Sequence, residues 1–160
     1  MIRAVALACL CLAAGACTSE QSTQPASGPA QRVVTFAPHL AEIMYVIGAA
    51  EQLVGVSAWS DFPREGLDLP QVGDAFTVDQ EQLSLLQPDL VLVWVSGMPR
   101  HTIDELRILG YRVESVRTRS LEDVAAAIRR VGELTGRQAA ATGAADGFAQ
   151  FFDALLEEYR

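Results

Sequence analysis

From Arg32 to Val116 the chain alternates short β-branched or leucine-rich runs with segments whose apolar residues recur every three to four positions. Runs of the first kind suit strands, and segments of the second kind suit helices that lay one apolar stripe on a sheet. Arg32 to Phe36 is the first such run, and Pro38 then opens a helix from His39 to Ile47 that Gly48 stops. Leu53 to Ser57 is the second strand. Asp79 is the N-cap of a helix through Leu86, with Gln82 three residues on in the capping-box position. Pro88 closes that helix, and Leu90 to Val95 is the most hydrophobic run outside the N-terminal leader, as a central strand covered on both faces requires. Pro99 starts a helix to Leu109 that ends at Gly110, Tyr111 to Val116 is the fourth strand, and Ser120 caps a helix with Asp123 at its third position. Strict alternation of strand and helix predicts an α/β fold: a Rossmann-like parallel sheet with right-handed crossovers and helices on both faces. From Gly136 to Arg160 an Ala-rich segment carries Phe148, Phe151, Phe152 and Leu155 at helical spacing, which predicts a long connecting α-helix after the sheet. Its apolar stripe is expected to stay partly uncovered and to favour self-association.

The first residues form an address. Arg3 precedes an apolar run from residue 4 to 14, too short to span a bilayer permanently, so residues 1–16 read as a signal peptide. The run ends in Ala14-Gly15-Ala16-Cys17, which resembles the lipobox of bacterial lipoproteins and makes Cys17 the candidate lipidation site; ordinary cleavage near Ala16 is the alternative. Residues 17–31 are Ser, Thr, Gln, Pro, Ala and Gly with little apolar bulk, a flexible tether. With Cys9 and Cys11 in the leader, no disulfide framework or cysteine metal site is left for the folded domain.

Charge excludes more than it assigns. The 160-residue chain has 12 basic and 20 acidic residues, a formal net charge of -8, and no lysine. Diffuse acidity argues against a nucleic-acid partner, whose phosphates need a basic face. No Gly-x-Gly-x-x-Gly follows the first strand, no phosphate loop can form without lysine, and Ser96 lacks the glycine two residues before it that a nucleophile elbow needs. No histidine, cysteine or carboxylate cluster has metal-ligand spacing. The sequence therefore reads as a binding protein, not an enzyme.

Three strand ends collect the candidate chemistry: Phe36-Ala37-Pro38-His39, Trp59-Ser60-Asp61-Phe62-Pro63 and Trp94-Val95-Ser96-Gly97. In an open parallel sheet such ends share one edge, where ligands bind. Trp59 stands in a polar turn and suits a flat, apolar ligand, with Trp94 and Phe76 as further aromatic walls. Phe36 fits the core better. His39 admits two roles, a helix-start residue or an axial ligand to cobalt or haem iron, and backbone donors after Pro38 lie at a positive helix end. His101 reads as solvated.

Arg32-Val-Val-Thr-Phe-Ala-Pro-His-Leu-Ala-Glu42, Val54-Gly-Val-Ser-Ala-Trp-Ser-Asp-Phe-Pro63, Gln71-Val-Gly73 and Leu85-Leu-Gln-Pro-Asp-Leu-Val-Leu-Val-Trp94 resemble the N-terminal lobe of substrate-binding proteins of iron-siderophore and vitamin B12 ABC importers. The aromatic-Ser-Asp-aromatic-Pro stretch and the Trp followed by Ser-Gly are most similar to the cobalamin-binding branch. The resemblance implies two lobes joined by a rigid helix: residues 32–136 as the N-lobe and 137–160 as the inter-lobe helix. The chain stops at Arg160 where the family's second lobe begins, so a piece of a longer protein is expected. The implied function is capture of cobalamin or a related corrinoid without chemistry and delivery to an inner-membrane permease, from a periplasmic or lipid-anchored position. The implied ligand residues are Pro38, His39, Trp59, Ser60, Asp61, Phe76, Trp94, Ser96 and Gly97, and Glu81 matches the acid that pairs with permease arginines. The chelate is ligand, not cofactor. Haem or a ferric siderophore is the alternative, with Arg100 near a strand end as the candidate cation for an anionic siderophore, and a non-functional fragment or scaffold lipoprotein is a third reading.

Overall fold

The computed structural model describes residues 28–61 and 68–159. The signal peptide, Cys17, Phe62 and Pro63 lie outside the described residues.

Four parallel strands form one sheet: β1 (Val33–Thr35), β2 (Leu53–Val56), β3 (Leu90–Trp94) and β4 (Val113–Val116), in the spatial order β2-β1-β3-β4. Four helices connect or follow them: α1 (Pro38–Val46), α2 (Gln80–Leu86), α3 (Arg100–Ile108) and α4 (Leu121–Thr135). A fifth, α5 (Gln138–Glu158), closes the described chain. Each expected strand is present, one or two residues shorter at its ends, where backbone pairing stops before the apolar run does.

Two apolar layers sandwich the sheet, and strand alternation assigns residues to them. Val33, Leu90 and Leu92 face α1, α4 and α5, while Val34, Val91 and Val93 face α2 and α3. Both faces of β3 are therefore covered, which is why its run is continuous rather than alternating. A register shift between Val33 and Val34 puts Gly55, not Val54, opposite Val34. A Cβ on Gly55 would lie 2.6 Å from Leu86 Cδ1, so glycine is what lets α2 close on the sheet there.

The caps follow the sequence signals. Asp79 accepts from the Gln82 N–H at 2.9 Å and Ser120 from the Asp123 N–H at 3.2 Å. Packed structure starts slightly ahead of the boundary drawn after Gln31: Ala30 is fully buried and its N–H reaches the Leu134 carbonyl at 2.7 Å. The Asp89 carboxylate then takes the N–H groups of Gln31 and Arg32 at 2.8 and 3.0 Å, fastening the start of β1 beside β3.

Gly136, in the left-handed region at φ 74°, turns the chain from α4 into α5. The two helices pack antiparallel: Ala141 occupies the space a side chain on Gly132 would need, and Arg129 pairs with Asp146 at 2.6 Å. At about 1.5 Å per residue, 21 residues of α5 reach roughly 32 Å against about 22 Å for the 15 of α4. The far end of α5 thus overruns its partner. Phe148 packs on the core, whereas Phe151 is 60% exposed and Leu156 59%, so the apolar stripe is partly uncovered as expected.

Candidate ligand-binding edge

In this strand order the chain leaves β1 toward β2 on one side and leaves β3 toward β4 on the other, so the carboxyl ends of β1 and β3 flank a topological switch point. Helices α1, α2, α3 and α4 begin at this same edge because each follows a parallel strand. The predicted residues fall into two groups along it.

The first group lies beyond β2. Trp59 is 83% exposed and its backbone is left-handed, φ 68°. A bulky residue there costs roughly 1–2 kcal/mol, and such strain in an exposed aromatic points to use. Neighbours hold the turn in place. The Ser60 N–H donates to the Ser57 carbonyl at 3.4 Å, the two serine hydroxyls lie 3.3 Å apart, and the Ala58 N–H reaches the Gly73 carbonyl at 2.7 Å. That last bond ties the Trp59 turn to a second one, residues 73–78, whose tip carries Phe76, 78% exposed. Asp74 shapes this tip by accepting from the N–H groups of Phe76 and Thr77 at 2.8 and 2.7 Å, and those bonds hold its carboxyl below the ordinary range. Two hydrogen-bonded turns thus each carry an aromatic residue exposed to solvent. Ser60 is buried with its hydroxyl turned to Ser57, which gives it a structural task, while Asp61 is exposed beside it.

The second group lies at the switch point. Trp94 ends β3 half-buried, and His39 in the first turn of α1 stands edge-on to it, ring centroids 5.3 Å apart at 86°. Gly97 also lies against the indole, and its missing side chain leaves the room the indole fills: a Cβ there would be 2.9 Å from Cζ3 and closer still to Cε3. Gly97 therefore serves packing. Ser96 is exposed on the same turn, and Pro38 is half-buried where α1 starts. The His39 Nε2 and Trp94 Nε1 atoms are both buried and have no hydrogen-bond partner. Burial pulls the His39 pKa below its ordinary 6.5, so the ring is neutral near pH 7. Its Nε2 faces inward, so axial metal ligation through that atom would require the ring to turn out.

Phe36 is 2% exposed in the layer under α2 and α3, as its core assignment expects. Glu81 sits exposed in the first turn of α2, at the lobe edge that also carries Trp59. Arg100 has a 96% exposed side chain, 4.0 Å from Asp104. Among the described residues no group of three or more His, Cys, Asp or Glu is placed to hold a metal ion, and no helix is long and apolar enough to cross a membrane.

One feature escaped the sequence reading. Between α1, α4 and α5 runs a groove of about 390 Å³, lined by His39, Glu42, Val46, Thr118, Ile128 and Phe148 among others. The spacing of His39, Glu42 and Val46 puts them on one face of α1, a signal visible in the sequence that the core residues between them obscured.

A parallel sheet with aromatics along its carboxyl edge suits a binding protein, and the chain belongs to such a class: residues 33–160 match the periplasmic binding protein family, and the chain's homologues there are extracytoplasmic substrate-binding proteins, not enzymes. Its relatives include a vitamin B12-binding protein of Vibrio cholerae serotype O1, 33% identical over 131 residues, which are 82% of this chain and 48% of that protein. The fold matches the crystal structure of the periplasmic vitamin B12 binding protein BtuF of Vibrio cholerae with a TM-score of 0.77 at 33% identity, over 82% of this chain and 51% of that one. It also matches a periplasmic heme binding protein from Pseudomonas aeruginosa, TM-score 0.70 at 27% identity, over 76% of this chain and 44% of that one. The chain spans about half the length of the curated relatives it matches.

Proposed function

We propose that this lobe captures cobalamin, or a closely related corrinoid, as part of the substrate-binding component of an ABC importer. The observation that carries the reading is Trp59: an exposed indole whose backbone is held in a costly conformation by two interlocked turns. A turn whose backbone is already held loses less freedom when its residue stacks on a ligand, and the exposed indole suits the apolar face of a corrin ring. Phe76 on the linked turn and Trp94 at the switch point extend the wall, while exposed Ser96 and Asp61 offer hydrogen bonds to amide groups at a corrin rim. The name of the Vibrio cholerae relatives supports the same ligand. Capture involves no bond making. Residues 32–136 form the ligand-facing lobe, α5 leads toward a second one, and Glu81 is the surface acid that meets a permease arginine. Cys17 is the anchor site if the leader is of lipoprotein type.

Haem is the second reading, favoured by the heme-binding neighbour and by Arg100, which stands ready for a propionate. Equilibrium dialysis of the purified protein against cyanocobalamin and haemin, read by visible absorbance, separates them. Retention of cyanocobalamin over haemin supports the first reading, and the reverse order overturns it.

A further inference from the structure

We propose that His39 is a positioning residue: its ring, set edge-on to Trp94, holds that indole as a wall of the ligand edge, and protonation of His39 releases it. The inference rests on the reading of this edge as the ligand site.

The indole is packed against two residues. His39 meets it at 5.3 Å and 86°, and the bare backbone of Gly97 lies against the same ring, drawn in because the N–H groups of Gly97 and Met98 both reach the Trp94 carbonyl, at 3.1 and 3.0 Å. Pro38 fixes the helix start from which His39 projects, and β1 pairs directly with β3, so neither ring's backbone can drift. What remains adjustable is the imidazole itself. Its Nε2 is buried with no acceptor in reach, an arrangement that a neutral ring tolerates as an unprotonated lone pair. Protonation puts an N–H at that atom with nothing to receive it, and a buried donor without a partner is costly. The relief is rotation of His39 into the groove it shares with α4 and α5. There Glu42, one turn along α1, is the ionisable residue besides His39 among those that line it; α4 contributes Val124 and Ile128, α5 contributes Ala144 and Phe148, and Thr118 follows β4. A cationic His39 thus has a carboxylate to move toward, and Trp94 loses its edge contact when it goes.

Because the chain has two tryptophans, a Trp59→Phe protein reports on Trp94 alone. Its emission is recorded without ligand from about pH 8 to about pH 5, a range in which histidine is the side chain that ordinarily titrates, while far-UV circular dichroism stays constant. The expected result is an emission change with a midpoint below 6.5, the ordinary histidine value. Adding His39→Phe, which keeps a ring at the edge, preserves the near-UV circular dichroism of Trp94 and abolishes the pH response. Adding His39→Ala instead loses that dichroism at every pH. A pH-independent Trp94 signal, the same response in the His39→Phe protein, or unaltered dichroism in the His39→Ala protein overturns the proposal. These readings need no ligand, so they are separable from the ligand assignment: a titrating Trp94 in a protein that retains no cyanocobalamin supports the coupling and overturns the ligand reading instead. In a protein that does bind, affinity for cyanocobalamin falls with the same midpoint and is flat with pH in His39→Phe.

Discussion

The two tryptophans stand at the ends of two strands of one sheet, yet the protein treats them in opposite ways. Trp94 is built in, half-buried against His39 and Gly97 and packed on the core under α1. Trp59 is held out, 83% exposed on a backbone that no packing of its own ring repays. An aromatic at a strand end therefore carries no single meaning. Where its ring completes the core, removing it should cost stability; where the fold spends strain to present it, removing it should cost binding and little else.

The largest effect should come from Trp94→Ala. Truncating a packed aromatic costs about 3 kcal/mol at the low end of the usual range, suited to a half-buried ring, and thermal or urea unfolding reads it directly. Trp59→Ala should leave stability within about 0.5 kcal/mol of the parent, while weakening cyanocobalamin binding by about 2 kcal/mol, roughly 30-fold, measured by calorimetric titration. If instead the two variants lose stability equally, the contrast between the residues collapses. Gly97→Ala sharpens the comparison, since its new Cβ must displace the indole or the turn. Overpacking of this kind costs about 1–2 kcal/mol, and the near-UV circular dichroism of Trp94 should change with it while far-UV signals do not.

The smallest effect is in pH. Folding lowers the His39 pKa below 6.5, so as pH falls through that value the unfolded chain binds a proton before the folded one does. Stability is unaffected above this window, declines as pH falls from 6.5 toward the depressed folded value, and levels off below it. Urea midpoints of His39→Phe should lack that component, and a parallel decline in both proteins would assign it elsewhere. Carboxylates such as Asp74, also lowered, act in a separate window below 3.8, where its N–H bonds from Phe76 and Thr77 begin to fail.

Signals confined to a few neighbouring residues were legible before any coordinates. Pro38 and Gly48 bounded α1, Asp79 and Ser120 capped α2 and α4, and the unbroken run from Leu90 announced a strand buried on both faces. What escaped depends on how turns close and on which partners meet in space. Gly55 looks like a weak spot in a strand until the register shift sets it under Leu86. Ser60 reads as a ligand donor in isolation, and only the return of its hydroxyl to Ser57 shows its structural task. Residues 57–61 hold no glycine or asparagine to announce the left-handed Trp59, whose turn is closed by the Ser60 N–H on the Ser57 carbonyl and tied to its neighbour by the Ala58 N–H on the Gly73 carbonyl. The strand ends themselves were readable from topology, so the position of the edge was legible while the division of labour along it was not.

The central claim is that the strained, exposed Trp59 marks the ligand site. Calorimetric titration of the parent protein and Trp59→Ala with cyanocobalamin tests it most directly. The account predicts parent binding tighter than about 10 µM, or roughly -7 kcal/mol, and a clear loss in the variant. Equal affinity in the two proteins would contradict it, because the backbone strain at Trp59 would then serve some other purpose.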